Sequence, residues 1–289
     1  MKIFIAEEAG FCFGVKRALR IINQLHERGK GIEILGELIH NRTVLKDLEN
    51  KGIHCVNSLD EIDSHKQLVI RTHGIPLNLE NQIKEEEINF VDASCPLVKK
   101  IHTIIERLNR QDTQVIIIGD RKHPEIVAAN SYASHAIIIN SIPEAQHLGF
   151  HQHISVVAQT TLNTAFFEQI ISILREKAGE IEIFNTICSA TKVRQDAVKR
   201  LAPNVDFMVV IGGKNSSNTK KLYEIAINEN PNTFHIENSA ELNDPALNRK
   251  FRSFNSVGIT AGASTPPEEI DNVKIFFEKF KIEKERKDG

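Results

Sequence analysis

Neither sign of charge prevails in this chain. Its 36 lysines and arginines stand against 38 aspartates and glutamates, a formal net charge of −2 over 289 residues. Nothing in that balance argues for nucleic acid or an anionic membrane surface as a partner. Long apolar runs are also missing. Val115–Ile118 and Ala136–Ile139 are strand-sized and far below the roughly 20 residues that cross a bilayer. The N-terminus turns acidic at Glu7-Glu8 and shows no signal-peptide cleavage pattern, which predicts a cytoplasmic location. Cysteine is sparse: Cys12, Cys55, Cys95 and Cys188 lie too far apart to read as a disulfide framework. No Cys-x-x-Cys or Cys-x-x-His pair occurs, so ferredoxin-like and zinc-finger spacings are absent. A Gly-x-x-x-x-Gly-Lys-Ser/Thr phosphate loop is absent as well.

What remains is ordinary in bulk, 41% hydrophobic and 26% charged, and long enough for two or three domains. Three of the cysteines share one local setting. Phe90-Val91-Asp92 leads through Ala93-Ser94 to Cys95 and then Pro96, a residue tolerated best at the first position of a helix. Lys2–Ile5 leads likewise to Cys12 and Val15-Lys16-Arg17, and Ile181–Phe184 to Cys188 and Lys192-Val193-Arg194. Helix N-termini favour negative charge and lower a thiol's pKa. Three such cysteines point to a shared anionic site.

The setting belongs to an internal repeat. A glycine closing an apolar strand follows each cysteine by 24 residues, at Gly36, Gly119 and Gly212, and four residues later come His40, His123 and Ser216. Each unit ends in a strand and a polar turn, at Ile70–Gly74, Val157–Thr161 and Thr260–Ser264. Strand and helix alternate throughout, which predicts an α/β protein with mostly parallel sheets. Ligands bind such sheets beyond the carboxyl ends of the strands, where every polar residue of the pattern falls. We expect three α/β repeats, residues 1–89, 90–179 and 180–281, then a charged tail at 282–289; packed about a pseudo-threefold axis, they would bring the three cysteines to its centre. Cys55 sits in mid-strand and reads as a small buried residue.

Three converging thiolates could hold one [4Fe–4S] cluster and leave one iron open. His40, His73, Ser216, Ser217, Asn218 and Ser264, placed at helix starts, could with backbone N–H groups hold a diphosphate. Simple capping uses the same helix ends. Glu125 follows a His-Pro turn and is the carboxyl that reads as an acid, with Thr160 placed to relay or orient the proton.

These segments resemble the 4-hydroxy-3-methylbut-2-enyl diphosphate reductase family over nearly the whole chain. The resemblance rests on Gly10–Val15, His40-Asn41, Ala93–Val98, His123-Pro124-Glu125, Gln159–Leu162, Lys214–Asn218 and Thr260–Ser264. Ser94 stands where relatives often carry threonine, which preserves the hydroxyl. The resemblance implies a trefoil of three pseudo-threefold-related α/β domains around a central cluster, with Cys12, Cys95 and Cys188 as ligands of one [4Fe–4S] cluster whose open iron binds the substrate hydroxyl. It implies His40, His73, His123, Ser216, Ser217, Asn218 and Ser264 as the diphosphate site, and Glu125 with Thr160 as the proton-delivery site. It further implies an allylic diphosphate substrate, a ferredoxin- or flavodoxin-type electron donor, and isopentenyl and dimethylallyl diphosphates as products. Quinolinate synthase, which also combines three repeats with an open iron, is the alternative that keeps the cluster. A non-catalytic electron carrier or sensor would need neither Glu125 nor the phosphate-type donors, and a structural zinc site would leave the protein colourless.

Overall fold

A computed structural model describes residues 1–288, with side chains as far as Phe280. The expected tail at 282–289 lies outside those described side chains. The elements run β1 (Lys2–Ile5), α1 (Phe13–Glu27), β2 (Ile32–Leu35), α2 (Arg42–Asn50), β3 (His54–Val56), β4 (Gln67–Ile70), α3 (Leu77–Glu85) and β5 (Phe90–Asp92). Then come α4 (Pro96–Leu108), β6 (Gln114–Ile118), α5 (Pro124–Ser131), β7 (Ile137–Ile139), α6 (Ile142–His147), β8 (His151–Ala158), α7 (Thr164–Arg175) and β9 (Ala178–Phe184). The chain continues with α8 (Ser189–Leu201), β10 (Phe207–Ile211), α9 (Ser217–Glu229), β11 (Thr233–Ile236), α10 (Pro245–Phe251), β12 (Ser256–Ala261) and α11 (Pro267–Asp288).

The strands form three four-stranded parallel sheets, ordered β3-β2-β4-β5, β7-β6-β8-β9 and β11-β10-β12-β1. This is the α/β class that the strand–helix alternation predicts. The shared order carries a detail the alternation does not. The strand that opens each repeat pairs with the last strand of the repeat before it, β5 with β4 and β9 with β8, and β1 pairs with β12 of the third repeat. Parallel sheets covered on both faces need strands that are apolar on both faces. Accordingly β10 is buried along its length, and β2 and β4 are too.

The chain divides into two compact units. One holds Met1–Cys12, His40–Val44 and the chain from Ser189 onward, and contains the β11-β10-β12-β1 sheet. Its core is aromatic: Phe207 stacks on Phe251 at 5.0 Å between centroids, and Phe277 meets both rings edge-on. Burying each such ring stabilises by about 1.5–3 kcal/mol. The other unit holds Phe13–Ile39 and Leu45–Cys188, with the two remaining sheets. Its core is aliphatic around β6 and β8, where Ile116, Ile118, Val156 and Ala158 meet Phe167, Ile170 and Leu174 of α7.

Local chemistry sets where the helices start. Proline stands first in α4, α5 and α10 and second in α6, where its missing N–H costs nothing. Side chains of His123, Ser141, Asn163, Ser216 and Asp244 accept first-turn N–H groups. Cys12, Cys95 and Cys188 each stand immediately before a helix, as the sequence pattern predicts. One expectation is corrected here. Cys55 is exposed rather than packed in a core, because β3 is an edge strand and shields its residues on one side alone.

Candidate functional site

In the unit built on β10, the site residues gather at strand ends and at one helix start. Ser216 is the N-cap of α9 and its Oγ accepts the Thr219 N–H at 3.4 Å. Ser217 opens the helix half-buried, and Asn218 follows, buried. Both side-chain amide atoms of Asn218 lack a hydrogen-bond partner among the described residues. Leaving an amide so costs about 1–3 kcal/mol, which makes the position a donor waiting for an acceptor. Gly212, at the end of β10, has φ +140°, and a Cβ there would meet the hydroxyls of Thr265 and Thr219 at 2.7 and 2.8 Å. The turn therefore requires glycine. Ser264 Oγ donates to the His40 carbonyl at 3.3 Å. That carbonyl also lies 2.6 Å from the Cβ that Gly213 lacks, so His40 sits beside both turns. Asn41 Oδ1 caps α2 by accepting the Val44 N–H at 3.1 Å. The set is rich in neutral donors at a positive helix end, an arrangement that accepts anions.

The other unit assembles an acid. Glu125 lies in the first turn of α5 and is 2% exposed. Its Oε1 accepts the Thr160 backbone N–H at 2.6 Å, and Oε2 accepts the Thr160 hydroxyl at 2.7 Å. Burial pushes its carboxyl above the usual carboxylate range, against the two hydrogen bonds from Thr160. A carboxyl so buried takes up a proton more readily than an exposed one. His123 caps the same helix, its Nδ1 accepting the Glu125 N–H at 3.2 Å, which places the ring proton of the neutral form on Nε2. His73, just past β4, meets the His123 ring edge-on at 5.3 Å between centroids. Glu125 with Thr160, His73 with His123, and His40 with Ser264 are thus brought together.

The backbones of the three cysteines are equivalent in detail. Each N–H donates to a turn beyond the last strand of a repeat: Cys12 to the Ala263 carbonyl at 3.0 Å, Cys95 to Thr72 at 2.9 Å and Cys188 to Thr160 at 3.0 Å. The expectation of one [4Fe–4S] cluster held by Cys12, Cys95 and Cys188 is nevertheless corrected. Among the described residues, the side chains whose donor atoms could share a metal ion are His40, His73 and His123, and no cysteine is among them. Iron–sulfur clusters are held by thiolates, which this imidazole group does not supply. The physical reason lies in what register encodes. It fixes where along each repeat a thiol stands, but packing fixes where the sulfur ends up. A cysteine side chain is also short, whereas an imidazole reaches farther from its backbone.

Two buried polar side chains escape motif reading. Arg194 of α8 is 1% exposed and donates to the Gly10 carbonyl at 2.8 Å and the Ala190 carbonyl at 3.2 Å, bracing the turn before Cys12. His102 of α4 is buried among Val98, Ile101 and Ile105. The available signal was periodicity: both stand at apolar positions of their helices, where a polar residue needs an explanation.

The comparisons with known proteins agree with one another. A family model described as LytB protein matches residues 3–278. A protein of Clostridioides difficile (strain 630) named 4-hydroxy-3-methylbut-2-enyl diphosphate reductase is 42% identical over 282 residues, covering 96% of this chain and 99% of that protein. A protein of the same name from Caldanaerobacter subterraneus subsp. tengcongensis is 42% identical over 278 residues, covering 94% and 95%. Among solved structures, one described as (E)-4-hydroxy-3-methyl-but-2-enyl diphosphate reductase, the terminal enzyme of the non-mevalonate pathway, aligns with a TM-score of 0.70 at 37% identity. That alignment covers 96% of this chain and 100% of the other. The Plasmodium falciparum reductase structure aligns with a TM-score of 0.88 at 26% identity, covering 96% and 87%.

Proposed function

The chain belongs to the LytB family of 4-hydroxy-3-methylbut-2-enyl diphosphate reductases, and from that premise we propose how its own residues serve the reaction. The protein is an oxidoreductase of the non-mevalonate pathway, and it converts 4-hydroxy-3-methylbut-2-enyl diphosphate reductively to isopentenyl and dimethylallyl diphosphates. The allylic C–O bond breaks and the oxygen leaves as water. Two electrons and two protons enter, and a C–H bond forms at either end of the allyl system, which accounts for two isomeric products.

In our reading the diphosphate-binding residues of one unit are Ser216, Ser217, Asn218, Ser264 and His40, and those of the other are His73 and His123, each set argued within its own unit. The orphaned amide of Asn218 supports the first set. The pairing of two imidazoles supports the second, since imidazoles donate to phosphate oxygens whether neutral or charged. Glu125 is the proton donor, and Thr160 holds and orients its carboxyl. A single observation carries this assignment: a fully buried carboxyl, shifted upward, whose contacts come from one threonine. The electrons come from a redox partner; a ferredoxin or flavodoxin in the cytoplasm is the donor we infer. Among the described residues no helix is long and apolar enough to cross a membrane. The cysteine-held cluster forms no part of this account.

The test is turnover. Protein purified without oxygen and given a small-molecule one-electron reductant should consume 4-hydroxy-3-methylbut-2-enyl diphosphate and release both isomers. The residue assignment fails if Glu125→Gln retains full turnover, or if Asn218→Ala binds inorganic diphosphate as tightly as the parent.

A further inference from the structure

The buried face of α4 carries Val98, Ile101, Ile105 and Leu108, as its apolar period requires, and also His102. That ring is 7% exposed, and its Nε2 has no hydrogen-bond partner among the described residues. An unpaired buried nitrogen is costly, so its place in the core needs a reason. The repeat does not provide one. Seven residues past Cys12 and Cys188 stand Leu19 and Gln195, so a ring at this register is particular to α4.

The ring lies between two elements of the site. On one side is the turn after β4. Gly74 there has φ +72°, and a Cβ on it would come within 2.8 Å of His102 Cε1. His73 immediately precedes that glycine, and the turn is tied by the Gly74 N–H to the Arg71 carbonyl at 3.1 Å and by the Thr72 hydroxyl to the Leu38 carbonyl at 2.7 Å. On the other side is Tyr132, the residue that closes α5. Its ring stacks on His102 at 4.2 Å between centroids and 19° between planes. Tyr132 is itself pinned: its hydroxyl donates to Glu80 Oε2 at 2.5 Å, and its carbonyl accepts the Asn109 side-chain amide. The helix that ends at Tyr132 begins at His123 and Glu125. A cavity of about 150 Å³, lined by Glu80, Asp92, Lys99, His102 and Glu106 among others, opens beside the ring. Burial, with Lys99 adding to it, lowers the imidazole pKa to about 4 against the pull of Glu80 and Asp92. The ring is accordingly neutral at ordinary pH and packs as a flat, apolar-like body.

We propose that His102 is a positioning residue: its ring is a spacer between the His73 turn and α5, and it sets the placement of His73 relative to His123 and Glu125. The claim rests on the roles assigned above to those three residues. The ring presents its Cε1 edge to Gly74 and a face to Tyr132, and a shorter side chain would let the two elements approach.

The experiment uses the full chain, prepared without oxygen, with histidine rings isotopically labelled, and compares His102→Ala with His102→Phe. Phenylalanine keeps the ring and the stack but removes both nitrogens. The alanine variant should lose about tenfold or more in kcat, with KM changed less, because misplacement of reacting groups by about 1 Å is that costly. Its His73 and His123 ring resonances should move while the exposed His147 resonance stays. The phenylalanine variant should recover most of the turnover and return the His73 and His123 resonances towards their original places. Should the alanine variant not fold, His102→Leu, which fills volume without a flat ring, takes its place with the same expectation. The proposal is overturned if the ring-less variant keeps kcat within about twofold of the parent with the His73 and His123 resonances unmoved, or if phenylalanine costs as much as alanine. A parent protein inactive on 4-hydroxy-3-methylbut-2-enyl diphosphate would instead overturn the functional reading, and the ring resonances would still decide the spacing.

Discussion

The starts of α5 and α9 occupy the same place in their repeats yet carry opposite chemistry. Both helices are capped by a side chain 28 residues past a cysteine, His123 after Cys95 and Ser216 after Cys188. Two residues further on, one repeat carries Glu125 and the other Asn218. Glu125 is buried with both oxygens satisfied by Thr160. Asn218 is buried with neither amide atom satisfied. One position has its hydrogen bonds made and is complete; the other offers hydrogen bonds and is incomplete. The repeat thus fixes a backbone frame, and in the reading proposed above a single side chain at a fixed offset decides whether that frame delivers a proton or receives an anion. Helix N-termini suit both tasks, because each involves negative charge or its neutralisation.

The strongest way to break the comparison is to remove the proton from the complete end. Glu125→Gln keeps the shape, and its amide can still accept the Thr160 N–H and meet the Thr160 hydroxyl. Turnover should fall by about 10²–10⁴-fold, the usual contribution of a general acid, with the melting temperature little changed. Steady-state consumption of the allylic diphosphate checks it. A large loss of stability instead would mean that the pair is structural.

The second effect is a pH dependence confined to the unit that holds α5. His102 has its pKa lowered to about 4 from 6.5 by burial. Between those values the unfolded chain binds a proton that the folded chain excludes, so stability rises with pH there. It is complete above about 6.5 and is lost as pH falls towards 4; the shift corresponds to about 3 kcal/mol. Denaturant unfolding against pH should show that slope, and His102→Phe should flatten it. Hydrogen exchange at pH 5 should loosen α4 and α5 before α9, which has no such group in its buried face.

Much of this was legible in the residues themselves. Gly36, Gly119 and Gly212 at one offset, and the three cysteine–helix junctions, were enough to predict parallel α/β repeats, and the three sheets bear out that class. The exchange of opening strands between sheets was not legible, since β1, β5 and β9 look locally like any other strand and their partners are chosen by packing. Cys55 misled because an apolar neighbour pattern does not distinguish an edge strand from a central one. The cysteine cluster misled for a related reason: equal register is a statement about the chain, and ligation is a statement about space. His102 and Arg194 gave a signal only as polar interruptions of an apolar stripe, and interruption alone does not say what the residue holds.

The incomplete end can be sharpened next. Asn218→Ala removes the donor that the buried site lacks a partner for, and the loss should appear in binding rather than in chemistry. Affinity for inorganic diphosphate, measured by titration calorimetry, should weaken by about 1.5–3 kcal/mol, roughly ten- to 150-fold, the value of a hydrogen bond to a charged group. Asn218→Asp should weaken it further, because it would place a carboxylate beside the bound anion and repel it. An affinity unchanged by both substitutions would mean that the orphaned amide serves packing, and the contrast with Glu125 would lose its functional meaning.

The smallest effect concerns the caps on which both ends depend. Ser216→Ala removes the acceptor for the Thr219 N–H, a bond already long at 3.4 Å, so the cost should sit low in the capping range, about 0.5 kcal/mol. His123→Ala removes a tighter cap, 3.2 Å to the Glu125 N–H, and should cost more stability than the serine change. The useful reading is the ratio of stability loss to activity loss. If the caps act only as caps, each variant loses activity in proportion to the unfolded fraction, and a stabilising co-solute restores it. If His123 and Ser216 also touch the diphosphate, activity falls far beyond what unfolding explains, and no co-solute restores it. Parallel denaturation and KM measurements on the two variants separate these cases, because a cap that is only a cap leaves KM where it was.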